Sequence, residues 1–315
     1  MRRWCAVALL LAGLAGCGGD DDDEPSGGGG PTAIKVQETA GVPSAFVGFG
    51  IDQGIFERHG LEVDLEATQG GAATLPALVS GDIQVGGSNV VSLLIASTQG
   101  LPVQVIAPGT SAQDEGEDFG ALLAGADSGI TDAQGFEGKT VAVNTLDNIA
   151  EVVVKAALEE EGADPSKVKL TEVGFPEMAP ALEGGDVDGA FSIEPFVTTT
   201  VEQGAEVINY SYVATEPGMQ VGAYAVSREF AEESPEAVEA FKAAVADTAQ
   251  LVAEDEDAFR AFLAETAEIE PALAERIVLP QWNEELDVES LESTAELMRK
   301  YGLVDEEVDV QGLVG

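Results

Sequence analysis

The stretch GGDVDGAFSIEPF, residues 184–196, ends an apolar run with a carboxylate. Residues 187–193 are predicted to form a buried strand, and Glu194 follows directly, before a proline. Two interpretations of this carboxylate are open. It contacts a bound ligand, in which case it suits an amine, amidine or aminopyrimidine better than a sulfonate or nitrate. Otherwise it accepts hydrogen bonds from backbone N–H groups and is structural. We favour the ligand contact.

Small and polar residues follow the other predicted strands in the same way. In open α/β sheets, ligands bind beyond the carboxyl ends of the strands, so these positions are candidate ligand contacts. Glycines there let backbone N–H groups approach a ligand, and the N-terminus of a following helix favours negative charge. Ser44 and Asn148 are equally well explained as helix caps, and Gly70 and Gly71 as a tight turn. The candidates are Thr39, Gly41, Val42, Pro43, Ser44, Gly70, Gly71, Ala72, Ser88, Asn89, Asn144, Thr145, Asn148 and Glu194.

The elements that would position these residues alternate between strand and helix. Strands are predicted at 33–39, 61–67, 83–87 and 103–107, with helices at 44–58, 72–79 and 90–98. A second series has strands at 139–144, 168–173 and 187–193, with helices at 148–161 and 177–183. Such alternation predicts βαβ units around mainly parallel sheets.

The two series share one recognisable joint. PALVSGD, residues 76–82, and PALEGGD, residues 180–186, agree at five of seven positions. In both, a leucine faces the core, a glycine ends a helix and an aspartate turns the chain into the next strand. Such joints recur in α/β proteins, but here the flanking elements also match in order and length. The fold class is therefore predicted as α/β, with two similar doubly wound lobes and a helical C-terminal tail at 235–253, 257–266, 271–277 and 289–301.

The net charge of the chain argues against some classes of binding partner. The chain has 58 acidic and 14 basic residues, a formal net charge of −44. Such a field repels nucleic acid and anionic membrane surfaces, so no nucleic-acid partner is expected. We attribute the acidic excess to a high-salt or otherwise acid-tolerant setting. The arginines of the mature chain fall on predicted helices or surface positions, so an anion would be held by backbone N–H groups, hydroxyls and amides.

Residues suited to catalysis or metal binding are scarce. His59, the single histidine, is predicted at a helix C-terminus, where positive charge is favoured. Without clusters of His, Cys or Arg, neither a catalytic triad nor a metal-hydrolase site is indicated. The sequence has no GxxxxGK[ST] phosphate-binding loop, so the chain is not expected to hydrolyse ATP. We expect a protein that is not an enzyme and uses no cofactor or metal.

The first residues are typical of an exported protein. Residues 1–16 combine two arginines with an apolar run too short for the roughly 20 residues of a membrane span. LAGC, residues 14–17, resembles a bacterial lipobox, so we expect cleavage before Cys17 and lipidation of its thiol. The alternative is an ordinary signal peptide with a chance cysteine. Residues 17–32, rich in Gly and Asp, are predicted to be a flexible tether.

Five segments carry a family resemblance. They are GIFERHGLEV at 54–63, LVSGDIQVGGSNVVSLL at 78–94, FEGKTVAV at 136–143, ALEGGDVDGAFSIEPF at 181–196 and YAVSREFAEESPEAVEAFKAAV at 224–245. In this order they resemble the periplasmic solute-binding proteins of ABC importers. The branch is the one for nitrate, sulfonate, taurine and thiamine-pyrimidine precursors, and it has the type II periplasmic-binding fold. The resemblance is specific to this superfamily and leaves the ligand open.

The resemblance implies two lobes joined by two crossing strands, near 119–124 and 220–227, that close on a ligand like a clamshell. Lobe one would comprise residues 33–117 and 221–315, and lobe two residues 118–220. The protein would be a monomer, anchored through Cys17 to the outer face of the cytoplasmic membrane. It would deliver a small organic solute, a sulfonate- or nitrate-type anion or an aminopyrimidine-like heterocycle, to ABC permease subunits. The alternatives are a ligand-sensing receptor subunit or a small-molecule enzyme on the same fold.

Overall fold

The computed structural model describes residues 30–314, so the predicted signal (1–16), Cys17 and most of the predicted tether (17–32) lie outside the described residues. The strands are β1 (Thr32–Thr39), β2 (Leu61–Thr68), β3 (Val85–Asn89), β4 (Val103–Pro108), β5 (Thr110–Ser111), β6 (Gly120–Ala124), β7 (Thr140–Val143), β8 (Lys169–Glu172), β9 (Gly189–Ile193), β10 (Glu206–Asn209), β11 (Gly222–Ser227) and β12 (Gln281–Trp282). The helices are α1 (Val42–Asp52), α2 (Ile55–Arg58), α3 (Gly71–Ser80), α4 (Val90–Thr98), α5 (Ile149–Glu160), α6 (Phe175–Gly184), α7 (Phe196–Glu202), α8 (Ser211–Thr215), α9 (Arg228–Glu233), α10 (Pro235–Glu254), α11 (Glu256–Thr266), α12 (Pro271–Ala274), α13 (Val288–Lys300) and α14 (Val310–Val314). Within this part of the chain, no helix has the length and apolar character needed to cross a membrane.

Most strands belong to two five-stranded sheets of matching topology. The first has the order β2-β1-β3-β11-β4 and the second the order β8-β7-β9-β6-β10. In each sheet the first three strands are parallel, and the fourth, β11 or β6, runs antiparallel to both neighbours. We call the first sheet with its helices lobe one and the second sheet with its helices lobe two. The predicted pair of similar α/β lobes is confirmed.

The repeated joint has the same conformation in both lobes. Helix α3 ends at Gly81 with φ 78°, and α6 ends at Gly185 with φ 71°. Both values lie in the left-handed region, which glycine adopts without steric cost. The preceding leucines, Leu78 and Leu182, are buried as predicted. The joint therefore serves each lobe by turning the chain from a helix into the next strand of its sheet.

Aromatic packing fixes α1 against the C-terminal helices of lobe one. Phe49 of α1 contacts Phe259 of α11 with 5.4 Å between ring centroids, and Phe46 stacks on Trp282 at 4.7 Å. Buried aromatic pairs of this kind contribute about 0.5–1.5 kcal/mol beyond the area that they bury. One apolar stripe of α10 is buried as well. Its members are Val238, Phe241, Val245, Thr248 and Val252.

The chain passes between the sheets twice, from β4 to β6 and from β10 to β11. On the way, β5 pairs with β12, and Ser111 forms a bridge with Gln220. The two passages touch backbone to backbone, because a side chain at Gly109 would lie 2.8 Å from the carbonyl carbon of Gly222. These crossing segments lie directly before β6 and β11, which are regular strands of the two sheets.

A buried aspartate ties the two crossing segments together. Asp118, in the first segment, accepts hydrogen bonds from the N–H groups of Phe119 (2.7 Å) and Gln113 (3.4 Å). It also accepts one from Val213 in the second segment (3.1 Å). Burial raises the pKa of Asp118 to about 6, and these three donors act in the opposite direction. A carboxylate shared in this way fixes where the lobes are joined.

Candidate ligand-binding site

A small cavity lies between the two sheets, beyond the carboxyl ends of β1, β2 and β3 in lobe one and of β7, β8 and β9 in lobe two. Its volume, counted as the space open to the centre of a water molecule, is about 40 Å³. This is the position at which α/β sheets bind ligands, because strand ends from both lobes converge there. The lining residues are Glu38, Thr39, Pro43, Gly70, Ser88, Asn89, Gly109, Thr110, Phe119, Asn144, Asn148, Ile149, Phe175, Ile193, Tyr212, Val221, Gly222, Ala223 and Tyr224.

Half of the residues predicted at the strand ends line this cavity. They are Thr39, Pro43, Gly70, Ser88, Asn89, Asn144 and Asn148. Asn89 caps α4 by accepting a hydrogen bond from Ser92 N–H at 2.9 Å, and Asn148 caps α5 through Ile149 N–H. The alternative interpretation of Asn148 as a helix cap therefore holds, although its side chain also borders the cavity.

The other half of the predicted set lies close by but outside the lining. Gly41 and Ser44 border a separate apolar groove between α1, α7 and α11. Gly71 packs on Ser88, since a side chain at residue 71 would meet the Ser88 hydroxyl oxygen at 1.8 Å. The remaining members are Val42, which is fully buried, Ala72 in the first turn of α3, Thr145, whose hydroxyl accepts a hydrogen bond from Asn148, and Glu194.

The lobes meet across the edge of the cavity. The Asn144 side chain of lobe two donates to the Gln69 carbonyl oxygen of lobe one at 2.9 Å. Gly70 makes room for this contact, because a side chain there would lie 2.8 Å from the Asn144 amide nitrogen. Helix α3 begins at Gly70 without a side-chain cap, so its first N–H groups have no side-chain acceptor from the capping residue. The cleft between the lobes is closed in this structure.

Glu194 does not line the cavity. Its carboxylate accepts hydrogen bonds from Thr198 N–H (2.9 Å), from the Thr198 hydroxyl (2.6 Å) and from Val278 N–H (3.3 Å). Its carbonyl oxygen accepts one from Val42 N–H in lobe one (3.1 Å). Burial raises the pKa of Glu194, while these donors and the charge of Arg260 act against the rise. The geometry matches the second interpretation of this residue, a structural acceptor for backbone N–H groups.

A second carboxylate, Glu38, does line the cavity, although it was not among the predicted residues. Its side chain is 6% exposed, and one carboxylate oxygen, Oε1, accepts a hydrogen bond from Thr39 N–H at 2.6 Å. Burial raises the pKa of Glu38 to about 7, partly offset by Thr39 and by the hydroxyl of Tyr224. A signal was present in the sequence. In a strand, alternate residues share a face, so Ile34, Val36 and Glu38 all point to the buried side.

The charge of the cavity is unusual for an anion site. Its lining includes hydroxyls, amides, aromatic rings and one carboxyl group, and none of the lining residues is Lys, Arg or His. Between residues 30 and 314, no group of three or more His, Cys, Asp or Glu side chains is placed to hold a metal ion. An acidic group could therefore be bound only by N–H, hydroxyl and amide donors, as the sequence suggested.

Comparisons with known proteins agree with this architecture. The model of the NMT1/THI5-like family matches residues 44–258. The taurine-binding periplasmic protein of Escherichia coli (strain K12) is 27% identical over 199 residues. That match covers 63% of this chain and 60% of the relative, so it spans only three fifths of the relative's length.

Solved structures share the fold. The alkanesulfonate-binding protein SsuA from Xanthomonas axonopodis pv. citri, bound to MOPS, superimposes with a TM-score of 0.77 at 17% identity. The match covers 90% of this chain and 98% of that one. The desulfurization enzyme DSZB gives a TM-score of 0.65 at 14% identity, covering 90% of this chain and 96% of the enzyme. At these identities the likeness shows the fold alone, which binding proteins and an enzyme share.

Proposed function

Because the chain belongs to the NMT1/THI5-like family, we propose that it is the extracytoplasmic solute-binding protein of an ABC importer. One observation carries the proposal, namely the cavity enclosed by strand ends of both lobes and bordered by a hydrogen bond between them. A binding role rather than catalysis is supported by the named functions of the taurine- and alkanesulfonate-binding relatives.

The mechanism that we propose is hinge closure. Residues 33–117 and 221–315 move as one lobe and residues 118–220 as the other, about the crossing segments joined by Asp118. A ligand that touches both lobes stabilises the closed state, because the open state offers it the contacts of one lobe at a time. The closed form is then the one that delivers solute to the permease subunits.

The ligand is proposed to be a small organic solute, either a sulfonate- or nitrate-type anion or an aminopyrimidine-like heterocycle. The N-termini of α3, α4 and α5 face the strand ends and favour an acidic group. The small size of the cavity favours a small solute. The polar side chains proposed to contact it are Thr39, Ser88, Asn89, Asn144 and Asn148.

Export and anchoring complete the proposal. The apolar run of residues 5–14 and the LAGC sequence support removal of the signal and lipidation of Cys17. The protein would then be a monomer tethered at the outer face of the cytoplasmic membrane. Cell fractionation tests this, since the Cys17→Ser protein should leave the membrane fraction while the wild type remains in it. Equal membrane retention of both proteins would contradict anchoring through Cys17.

Ligand screening tests the binding role. Purified mature protein is heated with sulfonates, nitrate, aminopyrimidines and amines. A solute at 100 times its Kd should stabilise the fold by about 2.7 kcal/mol and raise the Tm. Mass spectrometry of the recovered solute separates binding from turnover. If no solute raised the Tm, the binding proposal would fail, and if the solute came back chemically changed, the enzyme alternative would replace it.

A further inference from the structure

We propose that Glu38 selects the ligand, and that the ligand carries a cationic N–H group, an ammonium or an amidinium, which binds the Glu38 carboxylate. This inference rests on the proposed function and names the ligand class of the same cavity. Such a carboxylate contact was expected at Glu194, but the Glu194 carboxylate accepts hydrogen bonds from backbone N–H groups instead. The carboxylate that borders the cavity is Glu38.

The backbone holds the Glu38 carboxyl group in place. Thr39 N–H donates to Oε1, and the carboxyl group lies directly over Gly87 of the neighbouring strand β3. A side chain at residue 87 would lie 1.9 Å from the other oxygen, Oε2, so only glycine leaves this space to the carboxyl group. The carboxyl position is thus fixed before any ligand arrives, which lowers the entropic cost of binding.

The cavity lacks a positive charge to balance this group. Its lining has no Lys, Arg or His, and the groups that assist the carboxylate are the neutral donors Thr39 and Tyr224. A buried carboxylate without a cation is costly, and burial accordingly raises the pKa of Glu38 to about 7. A cationic ligand supplies the missing charge. A wholly anionic ligand, in contrast, would lie beside a like charge whenever Glu38 is ionised.

The rest of the lining accommodates a second ligand group of another kind. Ser88, Asn89 and Asn144 present hydroxyl and amide groups, and the uncapped N-terminus of α3 adds backbone N–H groups. These neutral groups can donate to an acidic group or accept from an N–H, but they carry no charge that balances a cation. The ammonium or amidinium end therefore has one charged partner in the lining, Glu38, and this sets the ligand's orientation.

Matched pairs of probes test the inference by calorimetry. One pair is taurine and isethionate, in which a hydroxyl replaces the ammonium group of the same sulfonate. The other is 4-amino-2-methylpyrimidine and 2-methylpyrimidine. In whichever pair binds, the nitrogen-bearing member should bind at least about ten-fold more tightly, and Glu38→Gln should weaken it by about 10- to 100-fold, as for a lost charged hydrogen bond. The partner compound should change little.

The control variant makes the same chemical change elsewhere. Glu57→Gln alters an exposed side chain of α2 and should leave every affinity unchanged. Melting curves verify the fold of Glu38→Gln, in which the amide oxygen can still accept from Thr39 N–H. Equal binding within a pair, or unchanged binding in Glu38→Gln, would overturn the inference but not the proposed function. Binding of none of the four probes, while another solute of the thermal screen binds, would overturn the inference alone; the proposed function fails only if no solute in that screen binds.

Proton exchange gives a second, independent readout. At pH 6.5, below the pKa of about 7, Glu38 is in large part protonated. A ligand that is already cationic, such as taurine, should therefore release a substantial fraction of a proton on binding, measured as a heat that depends on the buffer's ionisation enthalpy. Tyr224 stays protonated, because burial and the Glu38 carboxylate hold its pKa well above its ordinary value. Glu38→Gln should abolish the release. Proton uptake instead would mean that protonated Glu38 donates to an anion, and the inference would be wrong.

Discussion

Replacing Glu194 by glutamine tests whether this carboxylate holds the closed lobes together. Oxygen Oε2 accepts from Thr198 N–H, while Oε1 accepts from the Thr198 hydroxyl and from Val278 N–H. An amide has one acceptor oxygen, so it can serve only one of these two backbone N–H groups and turns its NH₂ group toward the other. The hydroxyl can rotate and accept instead. One buried backbone donor is therefore left without an acceptor.

The expected loss follows from which bond breaks. The Val278 bond is the longest of the three, at 3.3 Å, so we expect it to be the one lost. A buried donor without an acceptor costs about 1–3 kcal/mol, and a long bond lies near the lower limit, about 1 kcal/mol. Because Val278 lies on the C-terminal segment of lobe one and Glu194 in lobe two, the cost falls on the closed state. Ligand affinity should fall about five-fold.

The free energy of unfolding should change less than the affinity. Burial raises the pKa of Glu194, so the ionised side chain carries a desolvation cost that glutamine does not. Calorimetry measures the affinity, urea unfolding the stability, and small-angle X-ray scattering the opening of the ligand-free protein. Thr198→Ala is the control, because it removes a donor within lobe two only. Unchanged affinity and radius of gyration in Glu194→Gln, or an equal loss of affinity in Thr198→Ala, would refute the reasoning.

Three further predictions concern packing, pH and salt. Gly50→Ala should lower the free energy of unfolding, measured in urea, by about 1–3 kcal/mol, because the added methyl lies 2.4 Å from Thr248 Oγ1. The control Gly48→Ala should cost less, since its added methyl lies 3.4 Å from the nearest neighbouring atom. Equal losses in the two variants would contradict this prediction. Folding raises the pKa of Glu38 from 4.5 to about 7. The contribution of this group to the free energy of unfolding is therefore largest below pH 4.5 and falls by about 3 kcal/mol toward pH 7. Glu38→Gln should remove this fall from the pH–stability profile, and an unchanged profile would refute it. Stability should rise from low to molar salt, because salt screens the repulsion of a −44 chain, and a flat response would contradict this.

Local patterns in the sequence predicted most of the elements. Helix α10 was predicted at 235–253 and spans Pro235–Glu254, because a regular apolar stripe and a starting proline mark it locally. The helix predicted at 44–58 was wrong in one respect. The chain forms two helices there, α1 and α2, because Gly54 between them adopts a left-handed conformation with φ 67°. The apolar spacing is compatible with both outcomes and cannot show this turn.

The site was only partly predictable, because it depends on contacts between distant residues. The predicted strand ends selected Ser88 and Asn144, which line the cavity, since a strand's end can be recognised from its own pattern. The role of Glu194 depends on Val278, 84 residues later, which no local pattern places beside it. Glu38 was overlooked because it lies within the predicted strand 33–39, and only the last residue of that strand and those after it were taken as candidates.

The strand order of the first sheet has a consequence for how the molecule is made. β3 and β4 do not pair with each other, and β11 lies between them, joined to both. The strands of lobe two, by contrast, are contiguous in the chain. A polypeptide delivered from its N-terminus must therefore produce all of lobe two before residues 222–227 can join the two parts of the first sheet. The first sheet is therefore begun first and completed last, and β3 and β4 keep unpaired edges through most of synthesis. A chain truncated before residue 222 would lack a complete lobe one.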